Sequence, residues 1–164
     1  ITEDLDFTYK LKLANKQILL RDDAVIYTQD PNNLKSYFKQ LYRWHSGGWC
    51  CLKKNIAIFK KPNNALVLSL IYLEGLLMGG ALLLAPLLIF WDFRYFLMFI
   101  LLTLLITCVS SSYGIFKAKR YELFFYIPHQ YVLGLIEQTL FIYTFFKEFV
   151  FNKKNLVWYK PDRY

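Results

Sequence analysis

Cysteine and histidine are scarce in this 164-residue sequence. Its three cysteines are the adjacent Cys50 and Cys51 and a lone Cys108 inside an apolar run. That pattern offers neither an even, spaced disulfide framework nor a C-x-x-C pair. The two histidines, His45 and His129, stand far apart and no Cys/His cluster of metal-ligand spacing appears, which argues against a zinc site. The opening residues ITEDLDF lack the basic start and apolar stretch of a secretion signal, and no Met begins the chain. The expectation is the C-terminal portion of a longer polypeptide. No internal repeat or low-complexity tract is evident, and an aromatic content of 20% excludes disorder.

Apolar residues, by contrast, make up 56% of the chain, against roughly 45–50% in a soluble domain. The excess lies almost wholly after residue 64, which argues against a simple soluble enzyme. Charged residues at 20% are too many for a chain embedded entirely in lipid. The sequence is therefore part soluble and part membrane.

Residues 65–91 exceed the ~20 residues that a helix needs to cross a bilayer. Fifteen of them are Leu, Ile, Val or Phe. At about −0.3 to −0.6 kcal/mol each, these outweigh the one acid, Glu74, at a cost on the order of 2.5–3.5 kcal/mol. After a polar break at Asp92-Phe93-Arg94, residues 95–116 carry no charge, so an antiparallel pair of spans is expected. A third apolar segment, roughly 123–146, is interrupted by Pro128, His129, Glu137 and Gln138. Pro128 is expected to open its helix, where proline fits the first turn.

Basic residues set the orientation. Lys53, Lys54, Lys60 and Lys61 precede the first span, and Lys117, Lys119 and Arg120 follow the second, so both flanks read as cytoplasmic. A third full crossing would put Lys153, Lys154, Lys160 and Arg163 outside. That segment is then re-entrant, surface-lying or an exception to the rule.

Residues 1–64 hold 11 Lys and Arg against 6 Asp and Glu. Thr2 is a candidate cap for a helix running to about Asn15, with Glu3, Asp4 and Asp6 in its first turn. Residues 17–20 and 24–28 read as two short strands around Arg21-Asp22-Asp23. Asp30-Pro31 reads as the start of a helix reaching about Gly47. At ~100° per residue, Leu34, Tyr37, Phe38 and Leu41 form one, buried stripe. Gln40, Arg43, Trp44 and Gly47 form a second stripe beside it, the geometry of a site wall. In residues 48–64, Trp49, Leu52, Ile56, Ile58 and Phe59 alternate with lysines, as in a segment lying on anionic lipid.

The order T-E-D, then Q-x-x-R-W 36 residues after Asp4, then a basic interfacial segment and apolar spans, resembles the membrane-bound family 2 glycosyltransferases. That group contains the cellulose, hyaluronan and poly-N-acetylglucosamine synthases. The tail Trp158-Tyr159-Lys160-Pro161-Asp162-Arg163 resembles, more loosely, the end of many members.

The resemblance implies an α/β plus transmembrane α architecture. Residues 1–50 would be the C-terminal part of a GT-A type catalytic domain, 51–64 the basic interfacial segment, and 65–164 a region of two or three transmembrane helices with a cytoplasmic loop and tail. It also implies inverting sugar transfer from a nucleotide-sugar to a glycan or lipid acceptor, on the cytoplasmic side of the cell membrane. Asp4 would be the general base, because the attacking hydroxyl must shed its proton as the bond forms. Glu3 would shape the acceptor pocket. Arg43 would steady the diphosphate leaving group, since a guanidinium matches phosphate oxygens in pairs. Trp44 would offer a flat face to the acceptor sugar, and Gln40 a hydrogen bond near the donor. Many members carry a basic residue where this chain has Leu41, which removes one phosphate contact.

The family's nucleotide-binding strands and D-x-D metal motif precede T-E-D. A divalent cation, Mg²⁺ or Mn²⁺, is therefore expected on residues outside this chain, and these 164 residues alone are expected to be inactive. In the resembled synthases the helices can line a polymer channel, which makes the membrane-depth Glu74 and Glu137 candidates for it, against a plain structural role between helices. Gly75, Gly79 and Gly80 read as close-packing positions. The rival to an enzyme is a non-catalytic membrane anchor or assembly subunit binding lipid or a partner through its basic face. Nucleic acid is not an expected partner, because membrane orientation already accounts for the positive charge.

Overall fold

The computed structural model describes residues 2–19, 21, 24, 28 and 31–152. Its α-helices are α1 (Glu3–Leu13), α2 (Leu34–Lys54), α3 (Pro62–Leu84), α4 (Phe93–Ala118) and α5 (Ile127–Thr144). Single 3₁₀ turns cover Ile56–Lys60, Ala85–Phe90 and Tyr121–Tyr126, and a π-helical turn covers Phe145–Val150. Among the described residues there is no strand, which overturns the expected α/β architecture.

The physical reason lies in pairing. Residues Gln17, Ile18 and Leu19 have the composition of a strand but take no regular structure and are exposed. A strand needs an edge to bond to, and an isolated two-stranded hairpin is marginal in water. Residues 20, 22, 23, 25–27, 29 and 30 lie outside the described residues, and with them most of the second expected strand and the expected cap Asp30. The tail motif Trp158–Arg163 lies outside them as well.

Helix α1 forms as its charges dictate. Glu3, Asp4 and Asp6 occupy the first turn and Lys10 and Lys12 the last, each sign at the end the macrodipole favours. Thr2 makes no capping hydrogen bond; its hydroxyl is turned to Cys51 Sγ at 3.3 Å instead. Asn15, in the left-handed region at φ 57°, takes the chain out of the helix.

Helix α2 begins later and ends later than its sequence signals suggest. Asn33 caps it, its side chain accepting from Ser36 N at 2.8 Å, while Pro31 stands outside the helix. It then runs through Gly47 and Gly48 to Lys54, so the domain boundary expected at residue 50 falls inside a helix. Each glycine costs a helix roughly 1 kcal/mol relative to alanine. Burial of Trp49, Cys51 and Leu52 just beyond them offsets that cost.

By contact the chain divides into two compact units, residues 1–76 with 140–164, and residues 77–139. The first is built on Tyr9, Trp49, Cys51, Leu52 and Ile58, with Leu5, Leu13, Tyr72, Phe141, Phe145 and Phe149 packed around them. Trp49 is its hub. The indole is 2% exposed, and the rings of Tyr72, Phe141 and Phe145 stand 4.7, 4.9 and 4.9 Å from it. Its Nε1–H donates to the Phe141 carbonyl at 3.3 Å. Trp49, Leu52 and Ile58 were expected to face lipid and are instead core; of that set only Ile56 remains well exposed. Conversely, Leu34 and Phe38 of the expected buried stripe are exposed, and Leu41 alone of its bulky apolar members is fully covered.

In the second unit, Pro86 supplies no N–H, and the chain tightens from α-helix into the Ala85–Phe90 turn packed against α4. Asp92 caps α4 by accepting from Arg94 N at 2.8 Å. Along α4 the hydroxyls of Thr103, Thr107 and Ser110 bond carbonyls of their own helix, which satisfies them in an apolar setting. Thr103 also meets the Tyr131 hydroxyl at 2.9 Å, and Ser111 donates to Gln130 at 3.0 Å, tying α4 to α5. Pro128 sits in the first turn of α5, as expected. Pro62–Phe90 and Phe93–Ala118 are long and apolar enough to cross a membrane.

Candidate active site

Three fastenings lay α1 along the second half of α2 in the same direction. At its start, Thr2 rests on Gly47 and Cys51. A Cβ on Gly47 would lie 2.8 Å from Thr2 Oγ1 and 3.2 Å from Thr2 N, so only glycine admits this approach. One turn on, Asp6 accepts from Lys54 Nζ at 3.0 Å and Asn55 Nδ2 at 2.8 Å, and pairs with Lys10 at 2.8 Å. The Lys10 ammonium, with Asn55 and Lys54, holds the Asp6 carboxyl well below the usual carboxylate range. At its end, Lys61 Nζ donates to the carbonyls of Lys12 and Leu13 at 2.8 and 2.6 Å and to the Asn15 side chain. That places a cation where the helix dipole is negative. Between these points Tyr9 is buried and shares a hydrogen bond with the Tyr72 hydroxyl at 3.2 Å. Burial raises the Tyr9 phenol above its ordinary value.

On a wheel of ~100° per residue, Gln40, Arg43, Trp44, Gly47 and Cys51 share one stripe of α2, about 100° wide. Thr2 is seated on the last two. The start of T-E-D therefore meets α2 on the stripe that carries Q-x-x-R-W. Gln40 and Arg43 are half-buried there, and the Trp44 indole is 49% exposed, free to present a face. Glu3 and Asp4 are exposed and line an open recess of about 480 Å³ with Asp6, Phe7 and Lys10. Among the described residues that lining is all from α1; Gln40, Arg43 and Trp44 stand on α2 beyond it. Asp4 keeps one carboxylate oxygen on the Leu5 amide at 2.8 Å.

Sequence reasoning missed a group on another face of α2. Glu148, in the π-helical turn, is 2% exposed. It accepts from Ser46 Oγ at 2.9 Å and Tyr42 Oη at 3.4 Å, with Cys50 Sγ at 3.8 Å from its other oxygen. The spacing of Tyr42, Ser46 and Cys50, four residues apart each time, was visible, but nothing local linked it to an acid about a hundred residues later. His45, on the same helix, packs edge-on against Phe141 at 5.4 Å, and burial lowers its pKa from the ordinary 6.5.

The channel candidates separate. Glu74 is exposed on α3, and Glu137 is half-buried on α5. Gly75 is a close-packing position, since a Cβ there would meet the Phe141 ring at 2.6 Å, but at Gly80 a Cβ would meet nothing within 4 Å. A divalent cation does not fit the acids present. Asp6 is committed to Lys10, Lys54 and Asn55, and Glu148 to α2. Among the described residues no three His, Cys, Asp or Glu are grouped to hold a metal ion.

No curated protein and no solved structure matches this sequence. Residues 1–110 match the family described as glycosyl transferase family group 2, a stretch that runs from T-E-D through Q-x-x-R-W and most of α4. With two thirds of its length so matched, the chain belongs to the glycosyl transferase group 2 family.

Proposed function

We propose that this chain carries the acceptor side of an inverting sugar transferase that works at the cytoplasmic face of the cell membrane. The donor is a nucleotide-activated hexose or N-acetylhexosamine, and the product a β-linked glycan or glycolipid. Asp4 takes the proton of the acceptor hydroxyl, for which the oxygens must come within ~2.6–3.2 Å. Glu3 shapes the acceptor pocket, Trp44 stacks on the acceptor sugar, Gln40 bonds near the donor and Arg43 steadies the departing diphosphate. The helices Pro62–Phe90 and Phe93–Ala118 are the chain's membrane anchors.

The seat of Thr2 on Gly47 and Cys51 supports this reading most directly, since it sets the first residue of T-E-D on the stripe of α2 that also carries Gln40, Arg43 and Trp44. In the intact enzyme Asp4→Asn keeps size and shape but removes the base. Transfer should fall by about 10²- to 10⁴-fold while binding of the nucleotide-sugar, followed by equilibrium titration, persists. Transfer at the parent rate by Asp4→Asn would refute the assignment.

A further inference from the structure

The buried carboxyl of Glu148 grips the helix on which Gln40, Arg43 and Trp44 stand. Its partners Tyr42, Ser46 and Cys50 fall at successive turns of α2, a grip extending over roughly 12 Å of helix at 1.5 Å per residue. On the wheel this line lies about 120° from the site stripe. Lys147 completes it, since its Nζ donates to Tyr42 Oη at 2.6 Å and Tyr42 donates onward to Glu148. One residue of the line, Tyr42, directly precedes Arg43, and Ser46 directly precedes Gly47, on which Thr2 sits. The turn that delivers the acid is π-helical. Such turns re-phase a helix and recur at functional sites. Here it lets Phe141, Phe145 and Phe149 surround Trp49 while Glu148 faces α2.

A hydrophobic side chain at 148 would fill the same space but leave the Ser46 hydroxyl, itself 7% exposed, without its acceptor. An acceptor reaching two successive turns of a helix sets the helix's rotation about its own axis, which apolar packing leaves looser. Rotation matters because side-chain groups sit ~5–6 Å from the axis, so about 10° of turn displaces them by about 1 Å. A displacement of that size costs a reaction on the order of a hundredfold.

We propose that Glu148 is a positioning residue for sugar transfer. Through Tyr42 and Ser46 it locks the rotation of α2, and thereby the pose of Arg43 and Trp44 toward donor and acceptor. This rests on the reading of α2 as the wall of the transferase site.

The test compares Glu148→Gln with Glu148→Leu in the intact, membrane-embedded enzyme. The amide oxygen of Gln can still accept from Ser46 and Tyr42, so Glu148→Gln should keep kcat within about threefold. Glu148→Leu should lose kcat on the order of a hundredfold, with donor KM within about twofold and a raised ratio of donor hydrolysis to transfer. A fold-only role would lower the amount of folded enzyme and leave kcat per folded molecule, KM and that ratio unchanged. Tyr42→Phe combined with Ser46→Ala should reproduce the kcat loss, and adding Glu148→Leu to that pair should cost little more. The paired variant also decides the matter should Glu148→Leu fail to fold. Parent-like kcat and hydrolysis ratio in either Glu148→Leu or the paired variant would overturn the proposal. Asp4→Asn, run alongside, separates two failures: a fully active Asp4→Asn sinks the site reading itself, whereas an inactive one beside a fully active Glu148→Leu sinks only the positioning role.

Discussion

Replacing Gly47 by alanine tests the juxtaposition of the two motifs with a single methyl group. The new carbon would stand 2.8 Å from Thr2 Oγ1, 3.0 Å from its Cγ2 and 3.2 Å from its backbone nitrogen. Rotating the Thr2 side chain relieves only the first two and breaks its contact with Cys51, so the backbone has to give as well. Regaining ordinary contact at about 3.5–4 Å pushes Thr2, and the first turn of α1 with it, by about half an ångström. Overpacking of this kind costs typically ~1–3 kcal/mol, offset by roughly 1 kcal/mol from the better helix propensity of alanine. The net loss of stability is about 0–2 kcal/mol, and the fold survives.

Activity should suffer more, because Asp4 moves relative to Arg43 and Trp44. With a 1 Å error worth about a hundredfold, half that error is worth roughly tenfold in kcat. The assay is incorporation of labelled sugar from the nucleotide-sugar by the intact enzyme, normalised to folded protein. Gly80→Ala is the control, since a Cβ there meets nothing within 4 Å, and it should retain the parent rate. Adding Thr2→Ala removes two of the three clashing atoms but leaves the backbone nitrogen, and should restore part of the lost rate in Gly47→Ala. Full activity of Gly47→Ala, or a loss that Thr2→Ala does not relieve, would refute the claim that T-E-D is seated on this stripe.

Trp44→Ala should raise the acceptor KM and the share of donor lost to hydrolysis, because an exposed indole contributes only through its ligand; product analysis at limiting acceptor checks this, and the opposite pattern contradicts stacking. Trp49→Ala empties the centre of an aromatic cage and should cost about 3–5 kcal/mol, read as a lowered thermal midpoint in detergent, where a loss under 1 kcal/mol would contradict its role as hub. His45 binds its proton more weakly when folded than when unfolded, so below pH about 6.5 the unfolded chain takes up more protons. Its contribution to stability is thus intact above that pH and is lost as pH falls below it. The thermal midpoint should drop between pH about 6.5 and 5 in the parent, and by less in His45→Phe; equal slopes would refute the buried-imidazole explanation.

Local signals carried part of the architecture. The acidic first turn of α1, the apolar runs that became α3 and α4, the break at Asp92 and the proline at the head of α5 all act within one helix, and each stands where its chemistry put it. Strand propensity at residues 17–19 did not act alone, because a strand requires a partner that the described chain does not supply. Helix ends moved for a related reason. Gly47 and Gly48 are stop signals in isolation, but here they are overridden by the packing that surrounds them.

The candidate site divides along the same line. Thr-Glu-Asp and Gln-x-x-Arg-Trp are legible from residue type and spacing, as is the stripe that unites Gln40, Arg43, Trp44 and Gly47. Periodicity says which residues share a face; it does not say what covers that face. Whether Trp49 met lipid or four aromatic rings, and whether Thr2 capped its own helix or rested on Gly47, depended on neighbours dozens of residues away. The grip of Glu148 on α2 likewise joins residues about a hundred positions apart. The apolar spans and most helical segments, like the spacing of the candidate motifs, follow from interactions within a few turns of chain, so they can be read locally. The core, the seat of α1 on α2 and the buried acid on its other face arise from long-range contacts, which form where surfaces fit and leave no periodic trace in either partner.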